Sequence, residues 1–276
     1  MFMNVTEKGL IPPCGPAPVD AAATPSARLQ SALDRFIGGQ TRTLKVLEAG
    51  CGSLSNIRLG DDVHIVGIDV SARALAQNTT IHERVLANLE TVDLGASVYD
   101  LIVCWDVLEH LPEPVRVLSK FFAAVKPGGL ILLAFPNVLS LKGLVTKYTP
   151  LAVHLFAHRL VYGARAGTAP GYELGPTYLR YSIAPRSIVM LATRHGFEID
   201  LFCIYESGMQ RRFREQVHLV GKPWWWMITA LVRLLSGGAI DAHGSDCLLL
   251  LRWPSSSTVP RTNPPLSRGA DSVLSA

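Results

Sequence analysis

The sequence predicts an α/β protein built on a doubly wound, mostly parallel sheet, and three observations carry that prediction. Five apolar runs recur between Leu44 and Phe135, most of them followed by a polar loop and a helical segment; β-α units in series build parallel sheets. The runs are continuous rather than alternating, as in Leu101-Ile102-Val103-Cys104, which is how a strand covered on both faces reads. The first run ends in Glu48-Ala49-Gly50-Cys51-Gly52, where glycine permits a positive φ and close approach of a ligand to the backbone.

Taken in order, a helix is predicted over Ser26–Ile37, with Leu29, Leu33, Phe36 and Ile37 on one face and Gly38-Gly39 ending it. Strand one covers 43–48. Only ten residues separate Gly52 from the second strand, Val63–Asp69, so any crossover helix there is stunted or a mere turn. Ser71 caps a helix reaching Asn78. Strand three, Arg84–Leu86, ends near Asn88, and strand four, Asp100–Trp105, leads into Asp106. A helix over Pro114–Val125 places proline in its first turn. Pro127-Gly128-Gly129 reads as a turn before strand five, Leu130–Phe135. The pattern then breaks. Helix-like pieces at Leu139–Lys147 and Leu151–Tyr162, and a Gly/Pro-rich loop at Gly163–Pro176, make 138–184 a substrate-side insertion or lid. Regularity returns with a helix over Pro185–His195, a strand over Phe197–Tyr205, a basic and Trp-rich helical segment over 208–240, and a last strand over Cys247–Trp253. This late pair reads as antiparallel. Residues 1–27 and 254–276 hold nine of the 18 prolines without sustained periodicity. They are expected to be disordered tails flanking a single domain at 28–253.

Composition bounds the function. Apolar residues make up 49% of the 276, enough for a full core. The net charge of +4 is uneven: residues 137–240 hold 12 Lys/Arg against five Asp/Glu, and the remainder 14 against 17. That surplus is too small to argue for nucleic acid. The five cysteines are far apart and form no Cys-x-x-Cys pair; reduced thiols in a cytoplasmic protein are expected, with no zinc site. The longest strongly apolar run, Pro223–Val232, has ten residues, about half of what a membrane-spanning helix needs.

In an open parallel sheet, ligands sit beyond the carboxyl ends of the strands. That singles out Glu48, Gly50, Cys51 and Gly52 after strand one, Asp69 and Val70 after strand two, Asn88 and Leu89 after strand three, and Trp105 and Asp106 after strand four. A carboxylate at Asp69 can accept both hydroxyls of a ribose. An Asp there also serves as a turn former, but Ser71 is the better cap. Asn88 can offer its amide to an adenine edge or shape a turn, and the sequence favours neither. Together these positions describe a site for an adenosine-bearing cofactor. Dinucleotide binding would need a third glycine at Ser55 and a full helix to hold the pyrophosphate; both are missing, which sets aside a nicotinamide oxidoreductase.

With Val107-Leu108-Glu109-His110-Leu111 and Val125-Lys126-Pro127-Gly128-Gly129 added, the arrangement resembles the class I S-adenosylmethionine-dependent methyltransferases, in particular the subgroup that includes ubiquinone-biosynthesis-like enzymes. The resemblance covers residues 44–137 and, more weakly, 181–205. It implies a Rossmann-like, seven-stranded sheet with one antiparallel strand, S-adenosylmethionine as cofactor, Asp69 as the ribose acid, and in-line methyl transfer to a small-molecule or lipid-like acceptor. Two positions depart from the family pattern. Leu54 replaces the third glycine of Gly-x-Gly-x-Gly, which crowds the methionine end, and Asn88 replaces the adenine-reading acid. A fold retained as a binding module with its chemistry lost is the competing reading. No Asn/Asp-Pro-Pro-Tyr type motif suggests a nucleic-acid substrate.

If a hydroxyl accepts the methyl, His110 is the candidate base, ahead of His154, His158 and Tyr178, although a His before Leu111-Pro112 also serves as plain packing. Lys142, Lys147, Arg159, Arg165 and Arg180 face one acid, Glu173, in the insertion; an anionic acceptor and a solvated basic face suit them equally. Arg211-Arg212-Phe213-Arg214, then Lys222 and Trp224-Trp225-Trp226, has the composition of an interfacial helix making weak peripheral contact with the inner face of a membrane. A helix packed over the sheet, with its tryptophans as core filler, is the reading favoured.

Overall fold

The computed structural model describes residues 24–148, 177–216, 223–237, 240–241 and 244–255. The expected tails, the Leu151–Tyr162 helix and the Gly163–Pro176 loop lie largely or wholly outside these residues. Helix α1 (Pro25–Gly38) starts at Thr24, whose hydroxyl accepts from the Ala27 amide, and ends at Gly39. Then follow β1 (Leu44–Ala49), β2 (Val63–Asp69), α2 (Ala72–Gln77), β3 (Glu83–Leu86), β4 (Tyr99–Trp105), a 3-10 turn (Leu108–His110), α3 (Pro114–Ala124), β5 (Val125–Pro136) and α4 (Leu141–Tyr148). A second 3-10 turn (Tyr181–Ile183) leads to α5 (Pro185–Arg194), β6 (Glu198–Tyr205), α6 (Gly208–Gln216), α7 (Pro223–Leu235) and β7 (Asp246–Arg252).

The seven strands form one sheet in the order β3-β2-β1-β4-β5-β7-β6. β1 pairs in parallel with β2 and β4, β2 with β3, and β4 with β5; β7 runs antiparallel to both β5 and β6. This is the mostly parallel, doubly wound sheet with one antiparallel strand that the sequence predicts. Strand order reverses between β1 and β4, and that reversal opens a crevice at the carboxyl edge.

Continuous apolar runs send alternate side chains to opposite faces, and two cores result. On one face Leu47, Ile68, Ile102, Leu133 and Leu249 pack with Leu118 and Phe121 of α3 and Ile188 of α5. On the other, Val46, Ile65, Val103, Leu132 and Leu250 pack with Leu29, Leu33 and Phe36 of α1 and Leu75 of α2.

Two connections shape the site. No helix joins β1 to β2, as the ten-residue spacing predicts. Where a crossover helix would cover the sheet, the 53–62 loop leaves a hollow of about 540 Å³ lined by Ser55, Arg58, Asp61, Ile65, Thr80 and His82. Pro127-Gly128-Gly129 corrects the sequence reading: it is not a turn before β5 but part of it. Val125 already pairs with Tyr99, and the register shifts before Leu101–Leu130. Gly128 and Gly129 exchange backbone hydrogen bonds with Trp253. A Cβ at Gly129 would lie 2.8 Å from the Asp100 carbonyl oxygen, so the close strand approach requires glycine.

Candidate active site

The bend after β1 is built from backbone. The amides of Gly50 and Cys51 donate to the Ile68 carbonyl at 2.7 and 3.2 Å. Gly50 and Gly52 have φ of +69° and +55°, the left-handed region that glycine occupies without penalty. Asp69 closes the bend. Its Oδ2 accepts from the Gly52 amide at 2.8 Å, and its Oδ1 from the Ser71 amide at 2.8 Å. Each oxygen keeps a second lone pair for a ligand hydroxyl. Ser71 caps α2 through its own hydroxyl, which accepts from Ala74, so the carboxylate is not needed for that task.

Room for a ligand exists over this bend. A Cβ at Gly52 would meet no atom within 4 Å. Leu54, expected to crowd this end, is 71% exposed and does not fill the bend. Val70, next to Asp69, is 72% exposed, an apolar side chain available to a flat ring at the mouth.

The other sequence-predicted residues divide by what their side chains already do. The Glu48 carboxylate is buried and held by the Ser55 hydroxyl, 2.6 Å from Oε2. Burial pushes its pKa up, while the Ser55 bond acts against the shift. Cys51 is buried, and its thiol is pushed up to about 12 by burial and by the charges of Asp69 and Glu48. Leu89 lies in the core. Cys51 and Leu89 can therefore offer a ligand their backbone, not their side chains. Asn88 is a turn former: its Oδ1 accepts from the Glu90 amide at 2.8 Å and its carbonyl from Thr91 and Val92. Trp105 is half-buried against the second core.

Asp106 stands apart. It holds a positive φ of +52° without being glycine, a conformation that costs about 1–2 kcal/mol. It is exposed, at the end of β4. Its carboxyl is pushed up to about 6 by desolvation and by the Asp246 charge, with Lys142 and His110 pulling back. Glu109, just after it, is buried with Oε2 unpaired, and desolvation followed by the Asp106 charge pushes it to about 8. His110 is half-buried at the end of the 3-10 turn, its amide donating to Val107.

Sequence reasoning missed two groups. Asn78 is fully buried and donates from Nδ2 to the carbonyls of Cys51 and Gly52, at 3.2 and 3.3 Å, holding the bend from below. An Asn ending a helix reads as a cap, and nothing local signals its reach. Asp246 at the start of β7 receives Lys142 at 3.4 Å and the Ser245 hydroxyl at 2.6 Å, while Lys142 also reaches Ser207. Lys142 is thus committed to protein partners. Lys147, bonded to the Leu179 carbonyl and 3.5 Å from the Tyr181 ring centre, is committed as well. Neither stands free for an anionic acceptor; Arg159 and Arg165 lie outside the described residues.

These features sit along one edge of the sheet, from β3 to β7. The family model for a methyltransferase domain matches residues 22–201. The chain belongs to the methyltransferase domain family. Among relatives of this methyltransferase-family chain, a ubiquinone biosynthesis O-methyltransferase from Bordetella avium is 27% identical over 188 residues, covering 57% of this chain and 78% of the relative. Proteins of the same name from Paraburkholderia phytofirmans and Leptothrix cholodnii are 32% and 28% identical, over 33% and 43% of this chain. The chain spans only 44% and 59% of their lengths. Among solved structures, a SAM-dependent methyltransferase from Archaeoglobus fulgidus aligns over 82% of this chain and 93% of its own at 16% identity and a TM-score of 0.46. The cyclopropane synthase MmaA2 from Mycobacterium tuberculosis aligns over 88% and 90% at 17% identity and the same score. Membership of the family rests on the match over residues 22–201, and the fold on the chain's own strand order.

Proposed function

We propose that this chain uses S-adenosylmethionine to methylate a small-molecule or lipid-like acceptor by in-line displacement. The observation that carries the reading is Asp69, fixed at the mouth of the open Gly50–Gly52 bend by the Gly52 amide, with a free lone pair on each oxygen. When bound, the cofactor supplies a methyl group already activated by its sulfonium. The protein's work is then placement and exclusion of water. Asp69 would hold the ribose diol, the Gly52 side of the bend would admit the methionine end, and Val70 would cover one face of the adenine.

An oxygen acceptor, which the names of the curated relatives favour, has to lose a proton. His110 and Asp106, on either side of the Val107 that packs beside Gly50, are the candidate bases. A carboxyl near 6 is a serviceable base at neutral pH, so the rate should rise with pH through about 6. Calorimetry with S-adenosylmethionine tests the reading. Asp69→Asn keeps the shape but not the charge, and should weaken binding about tenfold or more, the scale of a lost charge-assisted hydrogen bond. Equal affinity in the two proteins would refute the role given to Asp69. Binding by the wild type without label transfer to any component of a metabolite extract would favour the module reading over the enzyme.

A further inference from the structure

Among the described residues, helix α7 carries an apolar face that is exposed. Trp226, Met227, Leu231, Leu234 and Leu235 are 66, 71, 53, 77 and 78% exposed, and Ala230 between them is exposed too. At about 100° per residue these six positions occupy one contiguous half of the helix, while Thr229, on the other half, is 8% exposed. Among the described residues, the remaining exposed large apolar side chains, such as Leu54, Leu86 and Met190, are spread over separate elements. A single exposed Leu needs no explanation; a contiguous face does. Of the tryptophans expected as core filler, Trp226 is exposed, and the side chains of Trp224 and Trp225 lie outside the described residues.

Charge says what covers the face. Residues 208–237 hold five Lys/Arg (Arg211, Arg212, Arg214, Lys222 and Arg233) against one acid, Glu215. Arg211 and Arg212 are exposed on α6, and Arg233 is exposed at the rim of the apolar half. A second copy of the chain would bring the same cations and repel. An anionic lipid surface offers both an apolar layer and negative charge. Length sets the mode of contact. Thirteen residues make a helix of about 20 Å, short of the roughly 30 Å hydrocarbon layer. No helix among the described residues is long and apolar enough to cross a membrane. The connections set the orientation: α6 begins just after β6 ends at Tyr205, and the chain re-enters the sheet at Asp246. Since β7 is antiparallel, both attachment points lie at the sheet edge where the cofactor site opens.

We propose that α7 is an interfacial helix that seats its Trp226–Leu235 face on an anionic bilayer, with the arginines of the preceding helix α6 adding positive charge, turning the open edge of the sheet toward the lipid. This is independent of the acceptor's identity. Flotation tests it, using phosphatidylcholine vesicles with and without phosphatidylglycerol, at low and high salt. The wild type is expected to float with the anionic vesicles at low salt and to be released by salt. Leu234→Glu with Leu235→Glu should abolish flotation. Arg211→Glu with Arg212→Glu should weaken it by about fivefold or more per charge. Circular dichroism and cofactor calorimetry of the same variants confirm that they are folded. The proposal is overturned if the wild type fails to float, if the leucine variant floats as well as the wild type, or if sedimentation shows a concentration-dependent dimer that the leucine variant dissolves, which would assign the face to a second copy.

Discussion

A Cβ at Gly50 would collide with the Val107 side chain, whereas one at Gly52 would meet no atom within 4 Å, although both residues hold a positive φ. The two glycines should therefore fail differently. Gly50→Ala combines backbone strain with overpacking and should cost about 2–4 kcal/mol of stability in denaturant unfolding. Gly52→Ala should cost only about 1–2 kcal/mol. Its added methyl would enter the open space of the bend, so its larger effect should be on affinity for S-adenosylmethionine, read by calorimetry. Glu109 poses another residue-scale problem. Its buried carboxyl titrates near 8, above the roughly 4.3 of an unfolded chain. The protonated form is favoured in the fold, so stability is greatest below about pH 4.3, falls as pH rises toward 8, and is flat above. Glu109→Gln removes that titration. The variant should lose less stability than the wild type between pH 5 and 8, by on the order of 2 kcal/mol after allowing for relaxation around the buried group. Parallel pH slopes in thermal melts of the two proteins would show that Glu109 is not the group responsible.

Between elements, Asp100 ties three strands together at the edge opposite the site. The first residues of β4 meet the Lys45 amide of β1 at 2.8 Å, Lys126 of β5 at 2.9 Å, and Arg42 ahead of β1 at 3.0 Å, all through this one carboxylate. Burial pushes its pKa up, but the bonds from Arg42, Lys126 and the Lys45 amide outweigh it and hold the group at about 2. Its folded value is depressed, so its stabilisation is whole above about pH 4 and is lost as pH falls toward 2. Asp100→Asn should cost about 1.5–3 kcal/mol at neutral pH and flatten the acid limb of the unfolding curve. An unchanged acid limb would count against this junction. Elements were legible in the sequence where a local pattern decided them. The apolar runs placed six of the seven strands to within one residue at each end and β5 except for its first five residues, and the spacing of Gly52 and Val63 foretold the missing helix. Pro127-Gly128-Gly129 was misread because its local chemistry is that of a turn; only the long-range pairing of Gly128 and Gly129 with Trp253 makes it strand.

Over the whole molecule, the candidate site follows the same division. Gly50, Gly52 and Asp69 were readable because each follows a strand and each has a shape or charge that few other residues supply. Asn78 and Asp246 were not, since each is tied into the site by a distant partner, Gly52 at 26 residues for Asn78 and Lys142 at 104 for Asp246. Burial likewise has no local signature: Cys51 and Leu89 sit in the right loops but spend their side chains on the core. The strand order has a last consequence. β7 lies between β5 and β6, pairing with each along most of its length. A nascent chain leaving the ribosome thus holds β6 unpaired and β5 with a bare edge until the final strand emerges. Two of the seven strands, β6 and β7, must wait for those residues, and a chaperone that shields open strand edges would act in that interval.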